Sequence, residues 1–256
     1  MEHKYGKNVH ILSDPCLLTH LARLCSPETF QPLINEYVET IYTNLVEVIL
    51  NQEFPKKKMK VPTRMQAMHP EAVFEGELID QDQPTVAVNL ARAGTLPSHV
   101  CYSAFNYILN PKLVRQDHIS MNRATDEFEK VIGTNVSGHK IGGGVKDAIV
   151  VFPDPMGATG GTIVSALNIY KKQIQGPAHK YIAVHLIVTP EYLKKVLSEH
   201  SDTIIYAVRL DRGLSSSEVL SSVPGTYWDK EKGLNAKQYI VPGGGGFGEI
   251  LNNSFV

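Results

Sequence analysis

Short apolar runs alternate with helical stretches from about residue 85 onward. The runs at 85–90, 148–152, 181–188 and 203–208 are almost continuously apolar. Segments with the length and spacing of helices lie at 94–108, 161–172 and 190–199. Strands that are apolar on both faces are typical of parallel sheets with helices packed on both sides. The pattern therefore predicts an α/β core with a doubly wound parallel sheet over about 85–210.

The region before this core has helical periodicity. Ser26 can cap a helix, Pro27 suits its first position, and apolar residues follow from Phe30 to Val48 at spacings of three and four. This predicts a helix near 27–50 within an N-terminal helical arm over 1–60. The basic run at 55–60 is interpreted as a solvated connector, and a meander with turns is expected after it.

Two long segments lack a clear period. Residues 123–146 are polar and rich in glycine, and residues 212–238 are rich in serine, glycine, proline and lysine. Long irregular segments inside a domain are either functional loops or surface insertions, and both interpretations stay open here. We expect one domain over 1–256, with residues 210–256 forming a small hood over the core.

Composition narrows the class of protein. The chain has 256 residues, 43% of them hydrophobic, so it can bury a sizeable core. Its formal net charge of −1 lacks the basic footprint of a nucleic-acid binder. No apolar run reaches the ~18 residues of a membrane span. Three cysteines without a CxxC pair argue against a disulfide framework, and Cys16 and Cys25 are interpreted as small buried residues. We expect a cytoplasmic protein that binds neither membrane nor nucleic acid.

The strongest local signal is a strand, a turn and a helix at 150–162. Asp154 follows the apolar strand, at the end where open α/β sheets bind ligands. The small residues after it let backbone N–H groups and a helix N-terminus face a phosphate, and two threonine hydroxyls can donate to it. The turn has no lysine, so it is not a Walker P-loop. An ordinary connection stays the alternative. The residues concerned are Met156, Gly157, Ala158, Thr159, Gly160, Gly161 and Thr162.

This segment, with the sequence DPMGATGGT, resembles the phosphoribosyl-pyrophosphate signature of the uracil phosphoribosyltransferases, which are type I phosphoribosyltransferases. Further blocks resemble the family in the same order, over roughly residues 11–250. They are the segments at 14–20, 91–94, 118–123, 210–211 and 239–243.

The resemblance implies an activity and a set of partners. The enzyme would convert uracil and 5-phosphoribosyl 1-pyrophosphate to UMP and pyrophosphate, as in pyrimidine salvage. Its substrates would be small molecules, and Mg²⁺ would be held mainly by the phosphoribosyl pyrophosphate rather than by the protein. Family members associate, so the resemblance also implies a homodimer or a homotetramer.

The resemblance also implies roles for individual residues. Arg92 and Asp154 would be the catalytic residues, with Arg92 on the pyrophosphate and Asp154 on the ribose hydroxyls. Ala93 and Gly94 would complete the pyrophosphate loop, and residues 156–162 would bind the 5-phosphate. Taken alone, Arg92 could also be a surface arginine, but the order of the family blocks argues against this. The base would lie against Tyr239, Ile240, Gly245, Gly246 and Phe247.

The base-binding loop departs from the family pattern. The family has an acid where this chain has Gly246 and a basic residue where it has Ile250. An enzyme for a different base, a catalytically silent homologue that senses a ligand or binds a partner, and an RNA-binding regulator are therefore the alternatives. The formal GxGxxG at 243–248 is not a dinucleotide site, because too few residues follow it for a crossover helix and a second strand.

Overall fold

A mixed eight-stranded sheet forms the centre of the molecule. The computed structural model describes residues 1–125 and 131–254, and among these the side chains of 122–125 and 131–135 are not described. The strand order is β1-β10-β9-β7-β4-β5-β6, with β8 paired to β9, and every pair is parallel except β5 with β6. The strands of this sheet are β1 (Val9–Ile11), β4 (Thr85–Ala91), β5 (Val114–Thr125), β6 (Val131–Lys140), β7 (Ile149–Pro153), β8 (Met156–Gly157), β9 (Lys180–Val188) and β10 (Ile204–Leu210). A separate antiparallel hairpin contains β2 (Lys56–Pro62) and β3 (Val73–Ile79).

Helices cover both faces of the sheet, which confirms the predicted α/β fold. On β7, Ile149 and Val151 pack into one core with the helices at 15–24, 33–53 and 95–108, while Val150 and Phe152 pack into a second core with the helices at 161–173 and 190–199. Alternate residues of a strand face opposite sides, so a strand buried on both faces must be apolar throughout. No helix in the described ranges is long and apolar enough to cross a membrane. The helices are α1 (Pro15–Leu24), α2 (Leu33–Glu53), α3 (Thr95–Ile108), α4 (Gly161–Gln173), α5 (Pro190–Glu199) and two short ones, α6 (Ser217–Leu220) and α7 (Phe247–Ile250).

The chain order of the strands reverses between β4 and β7. From β4 the sheet continues to β5 on one side, and from β7 it continues to β9 and β10 on the other. Ligands of open α/β sheets bind at such a switch point, beyond the carboxyl ends of the strands. Arg92 directly follows β4 and Asp154 directly follows β7, so the two predicted catalytic residues flank this point.

The N-terminal helices differ from the prediction. The helix expected near 27–50 begins at Leu33, because Pro32 disfavours a helical residue before it. A further helix, α1, was missed: the Asp14 carboxylate accepts from the backbone N–H groups of Cys16 and Leu17 and caps it.

The expectation that Cys16 is buried is wrong. The buried face of α1 contains Leu17, Leu21 and Leu24, and Cys16 lies on the first turn outside that face, exposed to solvent. Cys25 is half-buried, and its burial raises the pKa of the thiol. For Cys25 this is the opposite of the lowered pKa that marks a reactive thiol.

Both segments without a clear period contain regular structure. Residues 123–140 belong largely to the β5–β6 hairpin, and 126–130 lie outside the described residues. The segment 212–238 is fixed by a buried ion pair, in which Nη1 of Arg212 donates to Oε1 of Glu231 at 2.9 Å. Glu231 also accepts from the Tyr5 hydroxyl and, at 2.8 Å, from the backbone N–H of Gly225. The basic run at 55–60 is exposed as expected, but it forms strand β2 rather than a connector.

Candidate active site

The predicted site residues collect at one edge of the sheet. Four parallel strands end there: β4 leads to Arg92, β7 to Asp154, β9 to Thr189 and β10 to Asp211. The structure thus places the predicted pyrophosphate, phosphate and base-binding loops around the switch point. Gly94 brings the first two together, because a Cβ on it would lie 2.9 Å from the carbonyl oxygen of Pro153.

The phosphate loop has the geometry of an anion-binding turn. Gly160 has a positive φ of 84° and directly precedes α4, whose first turn leaves backbone N–H groups without intrahelical acceptors. The helix dipole adds positive potential at the same point. Thr159 and Thr162 are half-buried on either side of this turn. The geometry is therefore suited to a phosphate group, although the individual roles stay predictions.

Hydrogen bonds from Thr189, at the start of α5, hold the predicted phosphate loop in place. The sequence did not reveal this contact. The hydroxyl of Thr189 donates to the carbonyl oxygen of Ala158 at 2.7 Å, and its backbone N–H donates to that of Gly157 at 3.0 Å. The same Thr189 hydroxyl caps α5 by accepting from the backbone N–H of Tyr192. The side chain of Tyr192 packs so closely under Gly157 that a Cβ there would lie 3.1 Å from its ring.

A buried histidine connects this support to Asp154. Nδ1 of His185 lies 2.6 Å from the backbone carbonyl oxygen of Asp154, and its Nε2 lies 2.5 Å from the Tyr192 hydroxyl. A carbonyl only accepts, so Nδ1 carries the proton and Nε2 accepts from Tyr192. Burial lowers the pKa of His185 to about 4, although the bond to Asp154 acts in the opposite direction. The imidazole is therefore neutral at physiological pH.

Arg92 is held by the C-terminal segment. Its Nη2 donates to Oε1 of Glu249 at 2.9 Å, and its Nη1 donates to the carbonyl oxygen of Ser254 at 3.0 Å. The guanidinium also packs on Gly248, where a Cβ would lie 3.2 Å from Nε. A cavity of about 270 Å³ adjoins Arg92, with Thr95 and other residues of α2, α3 and the C-terminal segment in its wall. The structure thus joins the predicted pyrophosphate loop to the predicted base-binding loop.

The base-binding loop is anchored to the end of β10. Arg209 pairs with Asp211 through two hydrogen bonds of 2.6 and 2.8 Å, and both side chains reach the backbone of Gly243. Of the predicted base-binding residues, Ile240 and Phe247 have buried side chains in the core. Tyr239 is exposed, and a Cβ on Gly246 would lie 3.7 Å from its ring. A ligand at this loop would therefore contact mainly backbone groups.

A second cavity separates the hood from the phosphate loop. It has a volume of about 410 Å³, and Thr159 forms one wall while Lys232, Leu234, Asn235 and Gln238 form the other. Glu191 fixes this wall, since its carboxylate accepts from the backbone N–H of Gly233 at 2.9 Å. The segment 212–238 therefore lines a cavity next to Thr159, one of the predicted 5-phosphate residues.

Comparisons with known proteins bear on the family and on the fold. A model of the uracil phosphoribosyltransferase family matches residues 11–227. The uracil phosphoribosyltransferase of Thermosipho melanesiensis is 39% identical over 105 residues. The matched part covers 41% of this chain and 39% of the length of that relative. That of Campylobacter jejuni is 23% identical over 252 residues, which cover 97% of this chain and 99% of the relative.

A solved structure has the same fold over nearly the whole chain. The AQ2163 protein from Aquifex aeolicus superposes with a TM-score of 0.70 at 21% identity, covering 95% of this chain and 97% of that one. The family match covers most of the chain. The chain belongs to the uracil phosphoribosyltransferase family, a family of pentosyltransferases.

Proposed function

We propose that the protein transfers the phosphoribosyl group of 5-phosphoribosyl 1-pyrophosphate to uracil, giving UMP and pyrophosphate. The observation that carries this proposal is the placement of the phosphate loop and Arg92 on either side of one switch point in a chain of this family. The relatives named above are uracil phosphoribosyltransferases by name, which supports uracil as the base.

The proposed reaction is a displacement at the anomeric carbon. The bond from C1 to the uracil N1 forms, the bond from C1 to the pyrophosphate oxygen breaks, and the N1 proton leaves to solvent. Residues 156–162 would hold the 5-phosphate and Asp154 would hold the ribose hydroxyls. Arg92 would take up charge on the leaving pyrophosphate, where a guanidinium suits bidentate contact. Catalysis would rest on positioning and on electrostatic stabilisation of the leaving group.

The donors at this edge suit a magnesium ion that arrives with the substrate. Magnesium prefers carboxylate oxygens, and Asp154 places a carboxylate directly after β7. In the part of the chain that the structure describes, however, no group of three or more histidine, cysteine, aspartate or glutamate side chains could hold an ion. Bound to pyrophosphate, magnesium would neutralise charge that develops on the leaving group.

A panel of bases tests the proposal. The protein is incubated with phosphoribosyl pyrophosphate, Mg²⁺ and one free base at a time, and pyrophosphate release is followed. We expect release with uracil and a fall of about 100-fold in kcat/KM for Arg92→Ala, as for the loss of one preorganised contact. Arg64→Ala is the matched control. Arg64 is exposed and lies in the turn between β2 and β3, which are not part of the central sheet.

Each other outcome assigns a different function. Release with another base would keep the mechanism and replace uracil as the substrate. Saturable binding of phosphoribosyl pyrophosphate without release for any base would identify a ligand-sensing homologue instead. No binding at all would refute the phosphate-loop assignment.

The association of subunits is also proposed rather than observed. Apolar side chains are exposed along the β2–β3 hairpin, including Met65, Met68 and Phe74. Exposed apolar patches are typical of interfaces between proteins, which supports the homodimer or homotetramer expected from the family. Sedimentation equilibrium would test this, and a monomer at micromolar concentration would contradict it.

A further inference from the structure

The carboxylate of Glu249 lies in the space that a side chain at position 246 would occupy. A Cβ built on Gly246 would lie 2.1 Å from Oε2 of Glu249, much closer than two such atoms can approach. The backbone of Gly246 has a φ of −84°, which any residue adopts. Glycine at 246 therefore leaves room for the carboxylate of Glu249, three residues further along the chain, and a side chain at 246 would have to displace that carboxylate.

The same carboxylate is the partner of Arg92. Oε1 of Glu249 accepts from Nη2 of Arg92 at 2.9 Å, while Oε2 faces Gly246. The side chains are 36% and 29% exposed, so the pair is only partly screened by solvent. One carboxylate thus contacts the guanidinium and lies against Gly246, the position at which the family pattern has an acid.

The position of Glu249 is fixed by the core. Phe247 and Leu251, on either side of it in the C-terminal turn, are both buried. The amide of Gln31 donates to the carbonyl oxygens of Ile250 and Leu251, each at 3.2 Å. Ile250 also packs against the core, where the family's basic residue would be charged. Because the turn is anchored, its carboxylate can orient Arg92 rather than follow it.

We propose that Glu249 is the positioning residue of Arg92 and replaces the acid that is missing at 246. This inference rests on the proposed function, because it concerns the arginine that would bind pyrophosphate. Arg92 keeps donors for a ligand, because a guanidinium has five N–H groups. Its Nη2 donates to Glu249 and its Nη1 donates to Ser254, so the Nε–H is not used by either bond. Glu249 therefore orients the cation without using up its donors.

Transposing the acid tests the proposal. Pyrophosphate affinity is measured by calorimetry for Glu249→Ala, Glu249→Gln and the double variant Gly246→Asp/Glu249→Ala. We expect Glu249→Ala to weaken binding about tenfold, the loss typical of one charge-assisted hydrogen bond. Glu249→Gln keeps an acceptor and should weaken it about threefold. The double variant should recover most of the affinity. Glu218→Ala, at an exposed glutamate on α6, is the matched control and should bind like the parent protein.

A purely structural role of Glu249 would not give rescue by an acid at another position. Unchanged or tighter pyrophosphate binding in Glu249→Ala would overturn the proposal, and so would a double variant no better than Glu249→Ala. Thermal melts accompany each variant, and if Glu249→Ala does not fold, the comparison of Glu249→Gln with the parent decides. Failure of the parent protein itself to bind pyrophosphate would refute the proposed function instead, so the two failures are distinguishable.

Discussion

His185 should make the stability of this protein depend on pH in the mildly acidic range. Its pKa is lowered by burial from 6.5 to about 4 in the folded protein. Between these values the unfolded chain binds the proton more readily, so stability is fully present above about pH 6.5 and is lost as the pH falls toward about 4. From about pH 7.5 to about pH 4.5, this one group should lower the free energy of unfolding by about 2.5 kcal/mol.

The comparison that isolates this effect is His185→Asn. The asparagine can still donate to the carbonyl oxygen of Asp154, but it does not titrate and it leaves a small cavity beside Tyr192. We expect the variant to be about 2–3 kcal/mol less stable at neutral pH, and the two proteins to converge near pH 4.5. Urea unfolding at a series of pH values measures this. Other titrating groups act equally in both proteins and cancel in the difference.

The matched control is Tyr192→Phe, which removes the hydroxyl bonded to Nε2 but keeps the imidazole. It should lower stability at every pH and retain the acid-dependent loss of the parent protein. If His185→Asn loses stability between neutral and acid pH as steeply as the parent protein does, His185 is not the titrating group. The reasoning from its burial would then be refuted.

Two further substitutions test how the site is supported. Gly157→Ala would place a Cβ 2.8 Å from Cγ1 of Val188. We expect the overpacking to lower stability by about 1–3 kcal/mol and to weaken the binding of phosphoribosyl pyrophosphate. An unchanged dissociation constant for phosphoribosyl pyrophosphate would contradict this. Glu231→Gln would leave the guanidinium of Arg212 buried without its counter-charge. We expect the free energy of unfolding, measured in urea, to fall by about 3 kcal/mol. A smaller fall would show that this ion pair does not fix the segment 212–238.

The parallel core was predictable because its signal is local. Each of the four central strands, β4, β7, β9 and β10, is a short apolar run. A strand that is buried on both faces is apolar at nearly every position, so the sequence of the run itself indicates the strand. The hairpin of β2 and β3 was missed because it lacks this signal. Its residues are mostly exposed, so no apolar pattern marks it. Helix α1 could have been found from the cap at Asp14 and the proline after it.

The candidate site was predictable only in its contiguous parts. The turn at 154–162 gives a signal because its glycines, threonines and acid are adjacent in the sequence. The pairing of Arg92 with Glu249 joins residues 157 positions apart, and the sequence gives no sign of it. His185 was hidden differently, since it lies inside an apolar strand where only the alternation of faces and the position of Tyr192 give it partners.

Two of the loops at this edge are held by the end of a neighbouring strand. Thr189, after β9, bonds to the loop after β7, and the Arg209–Asp211 pair at the end of β10 bonds to Gly243 in the base-binding loop. A departure from the family pattern inside one loop therefore leaves the other anchors intact. Gly246 is one such departure, and the carboxylate that we propose in place of its missing acid belongs to Glu249 in the next turn of the same loop. On this reasoning, the backbone scaffold of the site tolerates change at 246 and 250 better than change at Thr189 or Asp211.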